Sequence, residues 1–304
     1  MKYICVLRLS ALGDCCHALS VIQSLRREFS DAKIFWIIGK TEHQLFKDLE
    51  GVEFIVVDKS HLARSLVNTF LGLRKYNFDL LLNLHASVSA NLVSLCVRAG
   101  RKIGYDAARA RDKQSWFCDE SIPPSHNKHV ADGMMDFIRH LNIEVLAPNW
   151  TPLTLAPEED RIKNNIDAER LTCIISPCSS QRYGDKYNKS WSSENFARII
   201  RFLSEKKGIQ VIISGGSSQI EKKYSDDFNS EVFNKNVLNL VGQTSVREMA
   251  SLVKHADFVI SPDSGPAHIA TIMGKPVIGI YSMGNPNRTG PYNSMEFVVN
   301  RYPE

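Results

Sequence analysis

The stretch DFVISPDSGPAHIATIMGKPVIGIY, Asp257 to Tyr281, decides the fold. Asp257–Ser261 and Lys275–Tyr281 are short apolar runs with the length of strands, and a helical segment lies between them. Two strands joined through a helix run parallel, because an antiparallel pair needs only a short turn. The junction SPDSGPAH is dense in special residues: Ser264 suits a helix N-cap and Pro266 the first turn.

The same unit recurs on working outward. Ser245 with Glu248 forms a capping-box pattern, Val237–Val241 reads as a strand, and Gln210–Ser214 is a strand ending in Gly215-Gly216. Ser192 or Ser193 caps a helix whose apolar face is Phe196, Ile199, Ile200 and Leu203, and Thr172–Ser176 is the strand before it. The first half alternates likewise. Tyr3–Leu9 is β-rich, Ala18, Leu19, Ile22, Leu25 and Phe29 recur at helical spacing, and Lys33–Ile38, Phe54–Val57 and Asp79–Leu84 read as strands, the last followed by a helix-like segment through Val93 and Val97. Pro148, Pro152 and Pro157 precede a charged run, which places a linker near residues 150–170. At 304 residues the chain is long enough for two cores. The expected architecture is α/β, two Rossmann-like doubly wound parallel-sheet domains, 1–155 and 156–304, with a cleft between them.

Composition narrows the function. A net charge of +4 is too weak to argue for nucleic acid. Seven cysteines, without a pair of CxxC motifs, fit a reducing compartment. MKYICVLRLS lacks the long apolar core and cleavage site of a signal peptide, and no run of 18 apolar residues exists, so a cytoplasmic protein is expected. One stretch is locally basic: Arg98, Arg101, Lys102, Arg109, Arg111 and Lys113, opposed there by Asp106 and Asp112. It reads either as a solvated loop or as a site for phosphate or carboxylate groups.

In doubly wound sheets ligands bind at the carboxyl ends of strands, so the loops there carry the chemistry. After the first strand comes Ser10-Ala11-Leu12-Gly13-Asp14. Gly13 allows a tight turn close to a ligand. Asp14 is either a helix cap or a carboxylate that accepts a proton from an attacking hydroxyl. His17 lies on the same end, as a packed histidine or a substrate contact. In the second loop, free backbone N–H groups around Gly265, Pro266, Ala267 and His268, Pro266 itself having none, outline an anion site suited to a diphosphate, with Asp263 suited to sugar hydroxyls. The third loop, Pro177 to Trp191, holds Ser179, Ser180, Arg182, Lys186 and Lys189, a phosphate-binding set. It is not a Walker A loop, and no GxGxxG follows the first strand.

At these residues the chain resembles the ADP-heptose–lipopolysaccharide heptosyltransferases, glycosyltransferase family nine. The similarity runs nearly end to end and rests on R8-L-S-A-L-G-D14-x-x-H17, K189-S-W191, S261-P-D-S-G-P-A-H268 and G274-K-P-V-I-G-I-Y281. It implies the GT-B fold, with acceptor binding by the N-terminal domain and nucleotide sugar mainly on the C-terminal one. It implies Asp14 as general base and Lys189 near the donor diphosphate. Ser179 and Ser180 would lie by the phosphates, Asp263 by heptose hydroxyls, Gly265 through His268 at the phosphate site, and Glu221 at the nucleoside; Arg182 and Ser264 join them as candidate donor contacts. Gly13, His17, Arg109 and Arg111 would serve the acceptor.

The implied reaction moves a heptose from ADP-heptose to Kdo-lipid A at the cytoplasmic face of the inner membrane, by a peripheral monomer without a required cofactor or metal. No DxD-type metal motif is evident, and a stimulatory magnesium is left open. Two departures stand out. The segment between Ser180 and Lys189 is longer than usual, so Arg182 and Lys186 compete with Lys189. Family members also carry helices past the last strand that return to the N-terminal domain, whereas the last strand here is followed closely by Glu304. The alternatives are a sugar-nucleotide epimerase of the same fold and a non-catalytic nucleotide-sugar-binding protein.

Overall fold

A computed structural model describes residues 1–145, 153–179, 190–232 and 234–303. The chain divides into two units, Met1–Leu153 and Thr154–Glu304. In the first, the order is β1 (Tyr3–Leu7), α1 (Leu12–Glu28), β2 (Lys33–Gly39), α2 (Lys40–Phe46), β3 (Val52–Val57), α3 (Leu62–Leu73), β4 (Phe78–Asn83), α4 (Val88–Ser94), β5 (Ala99–Gly104), β6 (Glu120–Ser121) and α5 (Val130–His140). The sheet runs β3-β2-β1-β4-β5-β6, with every recorded pairing parallel. β1 and β4 are buried nearly throughout, as central strands covered on both faces must be. Leu62, Leu66 and Leu73 of α3 and Val93 of α4 pack on the face bearing Cys5, Leu7, Phe35 and Leu81. α1 and α5 pack on each other, where Ser20 Oγ meets Met135 Sδ at 3.4 Å.

The second unit repeats the plan: α6 (Ala156–Ile162), β7 (Thr172–Ile175), α7 (Ser193–Arg201), β8 (Gln210–Ile213), α8 (Gln219–Glu231), β9 (Val237–Asn239), α9 (Val246–His255), β10 (Phe258–Ser261), α10 (Gly265–Ile272), β11 (Val277–Tyr281), α11 (Pro286–Thr289) and β12 (Val299–Asn300). Its sheet, β12-β11-β10-β7-β8-β9, is also parallel in every recorded pairing. Counted from each unit's first strand, both sheets have the order 3-2-1-4-5-6. The strand order therefore reverses between β1 and β4 in one unit and between β7 and β10 in the other, the two places where such sheets bind ligands. The capping patterns read at Ser192 and Ser245 are formed, with Ser192 accepting from Asn195 N and Ser245 from Glu248 N.

Three local expectations are corrected. The basic stretch 98–113 is not one loop: Ala99–Gly104 is strand β5, paired with β4, and Arg101 is held by Glu120 at 2.7 Å. Gly and charged residues masked a strand whose partners come from elsewhere in the chain. The linker reading near 150–170 fails over Ala156–Ile162, which is helix α6. There Glu158 meets Arg247 of α9 at 2.8 Å in a buried pair, and Arg247 also donates to Thr154 O at 2.7 Å. Gly13 makes no special turn. It is buried within the first turn of α1 and is not among the glycines of positive φ.

Candidate functional site

The carboxyl ends of β1 and β4 bring together groups far apart in sequence. Asp14 sits in the first turn of α1, where its Oδ2 accepts from Ala11 N at 3.3 Å and from the Arg8 guanidinium. Ala11 has no side-chain acceptor, so this is one half of a capping box. The other oxygen, Oδ1, accepts nothing from any described residue. Arg8 is almost fully buried. It donates to Leu84 O at 2.5 Å, and its Nε has no partner among the described residues.

His85, two residues past the end of β4, accepts from Leu9 N at Nδ1 over 3.2 Å. Its ring must then carry its proton on Nε2. Burial, with Arg8 and Lys59 nearby, pushes the imidazole down to about 2, so it is neutral at any working pH. Lys59 donates to Ser10 Oγ, and burial lowers its ammonium below the usual lysine range. Tyr105 closes the group, its hydroxyl 3.5 Å from Leu84 O, with burial raising the phenol to about 12.

Of this group only Asp14 stands out in the sequence, and nothing there assigns a role to Arg8, Lys59, His85 or Tyr105. His85 follows a strand beside the reversal point, so the rule that singled out Asp14 would have found it too. His17 is only 2% exposed and lies edge-on to His129, with centroids 5.2 Å apart. Packing, rather than acceptor contact, is the role this geometry gives it.

Arg109 is not an open cation. It pairs with Asp106 and, at 3.1 Å, with Asp136, donates to Pro123 O at 3.0 Å, and lies over the Tyr105 ring. Asp136, on α5, was invisible to a reading confined to the basic stretch. Arg111 is exposed and makes no ion pair among the described residues.

In the second unit, the ends of β7 and β10 carry the serine and DSG loops. Ser264 stands at the N-cap of α10, yet its hydroxyl turns away to Ser261 Oγ at 2.6 Å and makes no cap bond. Ser264 therefore leaves the first-turn amides of α10 without a cap from its own hydroxyl, as suits an anion-binding N-terminus. Pro266 lies in that first turn, and Ala267 is buried beneath it. Asp263 is partly exposed. Its Oδ2 accepts from Thr289 Oγ1 at 3.0 Å, and its Oδ1 lies 3.6 Å from His268 Nε2. Thr289, from α11, carried no signal in the sequence. Gly284 keeps this space open, since a Cβ there would stand 3.1 Å from Asp263 Oδ2.

Ser179 is buried, its amide donates to Ser190 Oγ at 2.9 Å, and its hydroxyl has no partner among the described residues. Ser180, Arg182, Lys186 and Lys189 lie outside the described residues. Glu221 departs from the nucleoside role. Its carboxylate accepts from Gly216 N at 2.6 Å and from Ser218 N and Oγ at 3.2 and 2.6 Å, so it closes its own loop as the N3 member of a capping box.

Among the described residues no group of three or more His, Cys, Asp or Glu is placed to hold a metal ion. What the arrangement offers chemically is a carboxylate with one fixed and one open oxygen in one unit, and a helix N-terminus not capped by its own Ser264 beside a tethered carboxylate in the other.

Comparison with known proteins places this geometry. The family described as Glycosyltransferase family 9 (heptosyltransferase) matches residues 67–303. The lipopolysaccharide core heptosyltransferase OpsX of Haemophilus influenzae is 34% identical over 304 residues, all of this chain and 85% of that protein. Among solved structures, the family 9 glycosyl transferase of Veillonella parvula superposes with a TM-score of 0.82 at 18% identity, covering 98% of this chain and 85% of that one. The E. coli heptosyltransferase WaaC with ADP superposes with a TM-score of 0.74 at 18% identity, over 95% of this chain and 90% of that one. The fold shared with them is the two-domain GT-B fold.

Proposed function

Since the chain belongs to glycosyltransferase family 9, the heptosyltransferases, we propose that it moves a heptose from ADP-heptose to the Kdo-containing inner core of lipopolysaccharide. The observation that carries the reading is the 34% identity to a lipopolysaccharide core heptosyltransferase across the whole chain. It disfavours the epimerase and the non-catalytic binding protein.

The reaction inverts the anomeric centre. Asp14 takes the proton of an acceptor hydroxyl on its open Oδ1, while Arg8 and the Ala11 amide hold Oδ2. The acceptor oxygen bonds to the anomeric carbon as the bond to the diphosphate breaks, through an oxocarbenium-like transition state, and ADP departs. The start of α10, which the Ser264 hydroxyl leaves uncapped, receives the growing negative charge, and Asp263 holds sugar hydroxyls. By the resemblance, Lys189 supplies the cation beside the diphosphate. A well-placed donor of this kind is worth about 3–4 kcal/mol. These groups suffice without a metal.

No helix among the described residues is long and apolar enough to cross a membrane. The enzyme works as a monomer at the cytoplasmic face of the inner membrane, where its acceptor is held. The test is a panel of nucleotide sugars and lipid acceptors with mass detection of the product. Transfer from ADP-heptose, with ADP released only in the presence of acceptor, is expected. Isomerised nucleotide sugar without acceptor, or binding without turnover, overturns the reading.

A further inference from the structure

Helix α3 has an outward face that a water-soluble helix should not have. Its inner side, Leu62, Ser65, Leu66, Thr69 and Leu73, meets the sheet at the spacing of an amphipathic helix. The opposite side should then be polar. Instead Val67, Phe70 and Leu71 are 58%, 44% and 49% exposed. They sit at i, i+3 and i+4, so they form one stripe. The stripe continues onto α4. The Cys96 thiol reaches Leu66 O at 3.5 Å, and the adjoining Leu95 is 60% exposed.

The charges carried by α3 and by the turns that follow α3 and α4 are of one sign. Arg64 lies on the exposed side of α3, Arg74 and Lys75, also exposed, follow it directly, and exposed Arg98 follows α4. Between Leu62 and Ala99 the chain carries four Lys and Arg against the single acid Asp79. Asp79 is itself engaged by the amides of Lys2 and Tyr3. An apolar stripe fringed by cations fits one occupant better than others. A protein partner of ordinary composition would match the apolar side chains but not the uniform positive fringe. An anionic bilayer matches both, taking the apolar side chains at the acyl boundary and the cations among phosphates.

We infer that the α3–α4 face docks the protein on an anionic membrane surface, Val67, Phe70, Leu71 and Leu95 entering the interface and Arg64, Arg74, Lys75 and Arg98 engaging lipid phosphates. The inference rests on the reading that the acceptor is held in a membrane, and it names the surface that delivers the enzyme to it.

The experiment is co-sedimentation of the full chain with vesicles of phosphatidylcholine alone or mixed with phosphatidylglycerol, at two salt concentrations. Binding to the mixed vesicles that weakens in salt is expected. Each neutralised cation of Arg64→Gln, Arg74→Gln and Lys75→Gln should lower it about fivefold, the equivalent of about 1 kcal/mol per charge at such a surface. Val67→Ser with Phe70→Ser and Leu71→Ser should lower it at least tenfold. Both variants should keep the wild-type unfolding temperature and the wild-type rate on a water-soluble acceptor fragment. Wild-type protein indifferent to phosphatidylglycerol, or either variant binding like wild type, overturns the inference. So does a dimer in light scattering that the apolar variant dissociates, since the face would then be covered by a second copy. Transfer to the soluble fragment without vesicle binding removes this inference alone, whereas vesicle binding without any transfer removes the catalytic reading alone.

Discussion

Asp14→Asn separates the two roles that the carboxylate combines. The amide oxygen of asparagine can still accept from Ala11 N and from Arg8, so the start of α1 keeps its cap. What disappears is the negative charge on the open oxygen and its capacity to take a proton. Losing a general base costs about 10²–10⁴ in rate, or about 2.7–5.4 kcal/mol at 1.36 kcal/mol per decade. Stability should change far less. Arg8 exchanges a charged acceptor for a neutral one, a loss of about 1 kcal/mol for a largely buried hydrogen bond. The melting temperature should therefore fall by only about 2–4 °C for a domain of this size. The assay is acceptor-dependent ADP release, with calorimetry for donor affinity, which should be unchanged. Arg8→Gln should slow transfer about tenfold to a hundredfold by releasing the fixed oxygen, and the double variant should be no slower than Asp14→Asn alone, because residues acting as one unit are not additive. Transfer by Asp14→Asn within threefold of wild type would reduce Asp14 to a helix cap and refute the mechanism.

Other substitutions test other parts. Arg111→Ala should raise the acceptor KM severalfold, more at low salt than at high, without moving the melting temperature or the donor KM; Arg109→Ala, which strips a cation from the buried Asp106 and Asp136, should instead cost about 1–3 kcal/mol of stability in denaturant unfolding. His85 is neutral in the folded protein and takes a proton when unfolded below about pH 6.5, so stability should be level above that pH and decline by about 1.4 kcal/mol per unit below it, reaching about 2 kcal/mol at pH 5. His85→Asn should remove that slope, and equal slopes for the two proteins between pH 7 and 5 would count against the assignment. Glu158→Gln should destabilise the second unit by about 2–3 kcal/mol, since Arg247 is left buried with a neutral partner, and should leave donor affinity intact once the protein is folded.

Strand and helix alternation, the parallel sheets and the loops at their carboxyl ends were legible in the sequence because each is a local or periodic property. Apolar runs of strand length such as Thr172–Ile175 and Val277–Tyr281 must be buried on both faces, and capping pairs such as Ser245 with Glu248 act within one turn. Asp14 and the DSG loop stood out for the same reason, as special residues just after strands. What tertiary structure decided was which partners those residues meet. β5 exists because β4 and β6 flank it, although its own residues, AGRKIG, carry little strand signal. α6 is held to α9 by a buried pair between residues 89 apart in sequence. Ser264, an N-cap by position, gives its hydroxyl to Ser261, while Glu221, an acidic ligand by resemblance, is taken by its own loop. Arg109, a cation by composition, is neutralised by an aspartate 27 positions away, and His85 meets Leu9 across 76 positions only because β1 and β4 are neighbours. Hydrogen bonding and burial settle whether a polar side chain is available to a substrate, and both depend on contacts that no window of sequence contains.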